Sequence, residues 1–219
     1  MRSHRSFAMW QETLHISHQA SLSFGRRGLI LAAMLSLIAC TASNPMEEYE
    51  QVTPVTRHEA ETVASEYAPE VVARGAYLAE LLACGTCHTN GALTGNPSAD
   101  KFAGSDVGIA WSNPMIEKYP GVLYPANITP DVETGIGSWR EEELVRLIQT
   151  GVDRHARRQL PVMPWPGYAK LHEDDARAIA AFLLSLKPVR HQVPANVEPG
   201  QKATSPFVHF GVYRSRKDM

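Results

Sequence analysis

Three stretches of the chain repeat apolar residues at helical spacing. Val71, Gly75, Leu78 and Leu82 follow at intervals of four, three and four, one stripe of a helix running into Cys84. Gly75 costs such a helix roughly 1 kcal/mol relative to Ala, so its place in the stripe predicts a close crossing by another helix. A second helix is expected from Ser138, whose hydroxyl caps the backbone while Glu141 completes a capping box. Leu144, Leu147 and Ile148 supply its buried face, and Gly151 ends it. The third runs from about Glu173 to Leu186, with Ala176, Ile179, Leu183 and Leu186 inward and an acidic start that suits the helix dipole. Pro188 stops it, and Phe182 is the side chain expected against Gly75, where a missing Cβ lets a ring approach. Between Thr89 and Ile136 neither period is sustained, and a loop of that length is organised around something.

The first part of the chain follows a different pattern. Arg26 and Arg27 precede an uncharged apolar run from Leu29 to Ala39, the pattern of a signal peptide. This run is roughly half the ~20 residues that span a bilayer. It closes on Leu37, Ile38, Ala39 and Cys40, which resembles the lipobox of bacterial lipoproteins; Cys40 is then the lipid-bearing first residue of the mature chain. The alternative makes Cys40 one apolar residue of an anchoring segment. From Thr41 to about Tyr67 the chain is polar and acidic, the composition of a tether. The expected organisation is therefore a signal peptide over 1–39, a lipidated cysteine and tether over 40–68, one folded domain over 69–190 and a C-terminal extension over 191–219.

Composition narrows the partners. The 219 residues carry 21 basic and 23 acidic side chains, a net charge of −2. Without residues 1–39 the balance is 17 basic to 22 acidic. No basic excess is available to neutralise a phosphate backbone, which argues against a nucleic-acid partner.

With Cys40 assigned to lipid, the remaining two cysteines stand in Cys84-Gly85-Thr86-Cys87-His88. Thiols three residues apart lie on one side of a helical turn, where each can form a thioether to one vinyl group of a haem, and the adjoining histidine is placed to ligate the iron. A thioredoxin-like pair opens a helix after a strand, whereas this pair closes a helical pattern. A zinc site needs further ligands, and there is no second Cys pair. One covalent haem c is the reading that remains, with His88 as axial ligand.

The sixth ligand is sought among Met115, Met163, Met219, His155, His172, His191 and His209. Met163 is preferred because it sits in Leu160-Pro161-Val162-Met163-Pro164-Trp165-Pro166, where prolines fix φ and restrict the thioether. Met115, beside Pro114, is the alternative. His155 lies among Arg154, Arg157 and Arg158, a solvated basic cluster suited to docking a partner or pairing a haem propionate.

These residues resemble the class I mono-haem cytochrome c domains, in particular the cytochrome c subunits of membrane-bound bacterial dehydrogenases for alcohols, aldehydes and sugar acids. The likeness runs from about Arg74 to Val189. It is carried by Gly75-Ala76-Tyr77-Leu78, the motif Cys84 to His88, Asn127-Ile128-Thr129-Pro130-Asp131, Thr134-Gly135-Ile136-Gly137 with Trp139, Pro161 to Pro164, and Tyr168-Ala169-Lys170-Leu171. It implies an all-α fold around one haem, thioethers at Cys84 and Cys87, proximal His88, distal Met163, and Asn127 and Thr129 as hydrogen-bonding residues of the haem pocket. The competing reading of Asn127 and Thr129 is a plain turn. Many relatives join three haem modules and a membrane helix, whereas this chain has one module and a lipid signal. His172 also stands where the family usually has a capping serine.

The expectation is an exported, lipid-anchored electron carrier on the periplasmic side of a bacterial membrane. Its partners are a donor dehydrogenase and an acceptor cytochrome or oxidase. The rival readings are a haem sensor or enzyme with an open distal site, and a structural subunit of a dehydrogenase complex.

Overall fold

The computed structural model describes residue 47, residues 49–55 and residues 59–211. The expected signal peptide, Cys40 and Met219 lie outside the described residues. The chain divides between Tyr49 and Glu50, and the elements below belong to the second unit.

Helix α1 spans Pro69–Leu81, with a proline at its first turn and Ala68 extended ahead of it. Its buried positions are Gly75, Leu78 and Ala79. Val71, expected inward, is instead 36% exposed, and Val72 packs on the core. The buried stripe turns about the axis because 3.6 residues per turn do not return a four-residue step to the same angle. The helix also stops short of the cysteines: Leu82 caps it and Ala83 takes φ 55°, left-handed, so that a separate helix α2, Cys84–His88, starts at an angle.

The long loop holds more order than the sequence suggested. A 3₁₀ turn over Ala92–Thr94 is followed by strands β1, Gly108–Ala110, and β2, Val122–Leu123. They pair antiparallel, Ile109 opposite Leu123. Helix α3 runs Glu141–Thr150, helix α4 Trp165–Tyr168 and helix α5 Glu173–Leu184; strand β3, Phe207–His209, lies parallel to β1 and completes the order β2-β1-β3. The described residues are mainly helical, as expected, with a small sheet in addition. Backbone groups in so long a loop need partners once they are buried, and short strand pairs are one way to supply them. Part of the expected C-terminal extension is thus a strand laid on the domain.

The cap of α3 lies two residues beyond the expected one. Arg140 is the N-cap, and its backbone N–H donates to the Glu143 carboxylate at 2.9 Å. Ser138 sits in the turn that follows Gly135 and Gly137, and its hydroxyl accepts from Arg154 at 2.8 Å. Gly151 does end the helix, with φ 69° and its N–H on the Leu147 carbonyl.

The α1 and α5 helices cross at Gly75. A Cβ built there would stand 1.9 Å from the Ala178 carbonyl oxygen and 2.7 Å from Phe182 Cβ. Ala176, Ile179, Phe182, Leu183 and Leu186 are all buried as expected, and they pack with Leu78, Leu144 and Ile148 in one core. Phe182 meets Phe102 edge to face at 5.7 Å between ring centres.

Part of the expected tether is held on this domain. Val63 N–H donates to the Ser185 carbonyl and Lys187 N–H to the Glu61 carbonyl, both at 2.9 Å. The Ser185 hydroxyl also meets Ser65 at 2.8 Å.

Candidate haem-binding site

Helix α2 carries both thiols and the imidazole. Gly85, between the thiols, is buried, and a Cβ there would stand 2.8 Å from Lys101 Cε and 3.4 Å from the Phe102 ring. The loop therefore lies directly on the motif. Lys101 is itself buried beneath an ion pair with Glu80 of α1.

Cys84 and Cys87 carry free thiols, three residues apart on one helical turn. Burial first, then the neighbouring Cys87, pushes the Cys84 thiol up to about 12, and burial raises Cys87 as well. Redox-active Cys-x-x-Cys pairs have the opposite shift, a lowered pKa that yields thiolate. Cys84 packs with the helical core beside Leu82 and Tyr168, while Cys87 packs with Leu93, Val107 and Ile109. Among the described residues no three His, Cys, Asp or Glu side chains gather as a metal-binding group.

His88 Nδ1 lies 2.7 Å from the Ala126 carbonyl oxygen. A carbonyl only accepts, so Nδ1 carries the proton and Nε2 presents its lone pair, the tautomer an iron ligand needs. Burial lowers the pKa of this imidazole, against a smaller opposing contribution from the Ala126 bond, which favours the neutral ring. The His88 carbonyl accepts from Gly104 N–H at 2.9 Å, tying the end of the motif to the loop.

Met163 is partly buried in a segment fastened at both ends. On one side Val162 packs on the cluster that contains Cys87 and Ile109. On the other, the Tyr168 hydroxyl donates to the Leu82 carbonyl at 3.2 Å, two residues ahead of Cys84. Burial, then the two thiols, raises the Tyr168 phenol pKa far above its ordinary value. Met163 is thus carried on a strap that bridges the two flanks of the cysteine motif. Met115 stands in the turn after Asn113, with its N–H on the Asn113 side chain at 2.9 Å.

Asn127 and Thr129 are both nearly inaccessible, and protein atoms take up their polar groups. Asn127 donates to the Thr134 hydroxyl at 3.1 Å and to the Val189 carbonyl at 2.7 Å, and accepts from the Thr129 N–H and hydroxyl at 2.9 and 2.7 Å. The Thr129 hydroxyl in turn accepts from Val189 N–H at 3.1 Å. The pair braces the loop directly after Ala126, whose carbonyl orients His88. No residue-type signal marks that carbonyl in the sequence, since every residue has one; Tyr168 opens the Tyr168-Ala169-Lys170-Leu171 stretch, but its tie to Leu82 is a tertiary contact.

The donor set fits a haem c. Two neutral thiols stand one turn apart, a neutral imidazole has its tautomer set by the backbone, and apolar side chains surround them. The arrangement is that of a c-type cytochrome. The chain belongs to the cytochrome c family, whose model matches residues 72–187.

Among its relatives is a component of the nicotinate dehydrogenase of Pseudomonas putida, 32% identical over 173 residues, which make up 79% of this chain and 13% of that protein. The cytochrome c subunit of the quinone-dependent alcohol dehydrogenase of Gluconobacter oxydans is 37% identical over 123 residues, 56% of this chain and 23% of that protein. The fructose dehydrogenase cytochrome subunit of Gluconobacter japonicus is 28% identical over 174 residues, 79% of this chain and 31% of that protein. The chain thus spans less than a third of the length of each.

Proposed function

We propose that this protein is an exported, lipid-anchored carrier of single electrons on the periplasmic side of a bacterial membrane, with one haem c. In this reading Cys84 and Cys87 hold the haem by thioethers, His88 and Met163 ligate its iron, and Cys40 bears the lipid. The donor is a dehydrogenase and the acceptor a respiratory cytochrome or oxidase. Relatives named as cytochrome subunits of alcohol and fructose dehydrogenases support the donor class. Haem c, when bound, supplies an Fe(III)/Fe(II) couple.

The observation that carries the reading is the fastened strap bearing Met163 together with the imidazole oriented by Ala126. The Ala126 carbonyl holds the Nδ1 proton, so that Nε2 is free to ligate. Val162 and Tyr168 limit the travel of the Met163 thioether, and a thioether ligand together with His88 would raise the potential relative to a second imidazole. The apolar contacts of Cys84 and Cys87 keep water from that face and disfavour the more highly charged ferric state. Asn127 and Thr129 act here through the backbone, as a brace behind Ala126.

The test compares optical spectra of haem-loaded native protein and Met163→Ala, oxidised and reduced. The expected native ferric form is low-spin with the weak far-red sulfur-to-iron band; the variant loses that band and binds carbon monoxide. Identical spectra that retain the band transfer ligation to Met115. Identical high-spin spectra overturn the carrier in favour of an open-site sensor or enzyme.

A further inference from the structure

Among the described residues two charged side chains are buried, Lys101 and Asp153. Asp153 is answered within its own loop, by the N–H groups of His155 and Arg157 and by the Arg157 guanidinium. Lys101 instead reaches across to the cysteine motif. Its side chain is 6% exposed, and its ammonium pairs with the carboxylate of Glu80, near the end of α1, whose side chain is 53% exposed. Such a pair is weak evidence for stability, since apolar side chains of similar volume often serve as well or better. The position of the lysine therefore calls for another reason.

The backbone is bent to bring this side chain inward. Phe102 takes φ 67°, a left-handed conformation that a bulky residue rarely adopts. Its N–H donates to the Thr89 hydroxyl at 3.2 Å, and its carbonyl accepts from Ile128 N–H at 2.9 Å. Two residues on, Gly104 N–H is held by the His88 carbonyl. In that bend two consecutive side chains, Lys101 and Phe102, both turn onto Gly85. The Lys101 ammonium lies 5.3 Å from the Phe102 ring centre. Gly85 has no side chain to hold the lysine off the motif, and a Cβ there would crowd Lys101 Cε at 2.8 Å. Strained backbone of this kind gathers at functional sites.

We infer that Lys101 is a tuning residue of the haem couple: packed on Gly85 between the two haem-bearing cysteines and held there by Glu80, its ammonium raises the reduction potential. The inference rests on haem attachment at Cys84 and Cys87, as in the proposed carrier, and adds a side chain that sets how readily the haem is reduced. Ferric haem carries one more positive charge than ferrous haem, so a fixed cation nearby disfavours the ferric state and an anion favours it. The members of the pair do not cancel. Glu80 is half in water, which screens its charge, whereas the ammonium is enclosed against the motif, where the effective dielectric is lower.

The test is a potentiometric titration of the haem-loaded full chain in detergent, followed by haem absorbance at about pH 6, well below the ordinary lysine pKa. Lys101→Met keeps an unbranched side chain without the charge, and should move the couple about 3-fold or more toward the ferric form, a fall of ~28 mV or more for one electron. Lys101→Arg keeps the charge and should hold the native midpoint to within about 1.5-fold, ~10 mV. Glu80→Gln removes the anion and should move the couple about 2-fold toward the ferrous form, ~18 mV in the opposite direction. Lys187→Met, at an exposed lysine paired with Glu61, makes the same change in net charge and should move it by less than about 1.5-fold. The inference is overturned by a Lys101→Met midpoint equal to that of Lys187→Met, by Lys101→Arg falling as far as Lys101→Met, or by Glu80→Gln shifting toward the ferric form. Should Lys101→Met lose its haem or the native ferric spectrum, Glu80→Gln decides alone: a shift toward the ferrous form supports the inference and an unchanged midpoint overturns it. Extraction with acidic acetone separates the two levels of failure. A native chain that gives up its haem overturns the haem c reading itself, whereas a chain that keeps it and ignores Lys101 overturns only the tuning.

Discussion

Gly75→Ala places one methyl group where two helices touch. In the native crossing the added carbon would lie 1.9 Å from the Ala178 carbonyl oxygen and 2.5 Å from its carbon. A carbon and a carbonyl oxygen rest at roughly 3.3 Å or more, so α1 and α5 must part by roughly 1.4 Å at that point. The obstacle is backbone, which cannot rotate aside as a side chain can. Overpacking of this kind costs about 1–3 kcal/mol, and the rigid partner puts this case near 3. Alanine returns about 1 kcal/mol of helix propensity, leaving a net loss of about 2 kcal/mol. For a chain of this size that lowers Tm by about 4–8 °C. Urea unfolding of the haem-loaded protein, followed by far-UV circular dichroism, measures it. Gly167→Ala is the matched control, because a Cβ there meets nothing within 4 Å, and its unfolding free energy should hold or rise by up to about 1 kcal/mol from helix propensity alone. If Gly75→Ala matched that control or gained more stability, the crossing would have slack and would not require glycine at position 75.

Two further substitutions probe the loops that hold the site. Asn127→Ala removes four hydrogen bonds and strands the buried Thr129 N–H, so unfolding free energy should fall by about 2–4 kcal/mol while the sulfur band survives. A loss below about 1 kcal/mol in the same urea titration would mean that Asn127 is not the brace. For Asp153, burial pulls the pKa upward, but the N–H groups of Arg157 and His155 and the Arg157 guanidinium outweigh it and hold the carboxyl below its ordinary value. A depressed folded pKa contributes stability that is fully present above the unfolded value of about 3.9 and is lost as pH falls through the folded one. Asp153→Asn should therefore cost about 1–3 kcal/mol at pH 7, with the gap to the native protein closing below about pH 4. A gap that stayed constant from pH 7 to pH 3 would rule out the charged carboxylate as its source.

How much was legible in the sequence varied with the kind of interaction. The core face of α5 was readable because Ala176, Ile179, Phe182 and Leu183 recur at helical spacing and are all buried; Leu186, expected on the helix, is buried just beyond its end at Leu184. The α3 cap was misplaced because Ser138 and Glu141 have the right types at the right spacing. Gly135 and Gly137 instead keep that segment in a turn, and the reciprocal bond passes to Glu143. The three short strands were unreadable for another reason: two or three residues are too few to establish a period of two. Their pairing partners lie some 14 and 100 positions away. Asn127 and Thr129 were found as notable residues, but the partner they share, the Val189 backbone, is 62 and 60 positions off.

Cys-x-x-Cys-His, the proline-bound methionine and the glycine within an apolar stripe are local statements, and local statements are complete in the sequence. They named the candidate haem-binding atoms and the two helices that cross. The tertiary structure decided what depends on distance across the chain. Ala126 sets the tautomer of His88, Tyr168 and Val162 fasten the Met163 strap, and Trp139 and Trp165 stack with Arg154 and Arg158. The physical reason is that backbone carbonyls and ring faces act through position. Every residue has a carbonyl, and a tryptophan can stack in many places, so only the folded chain selects the ones that do.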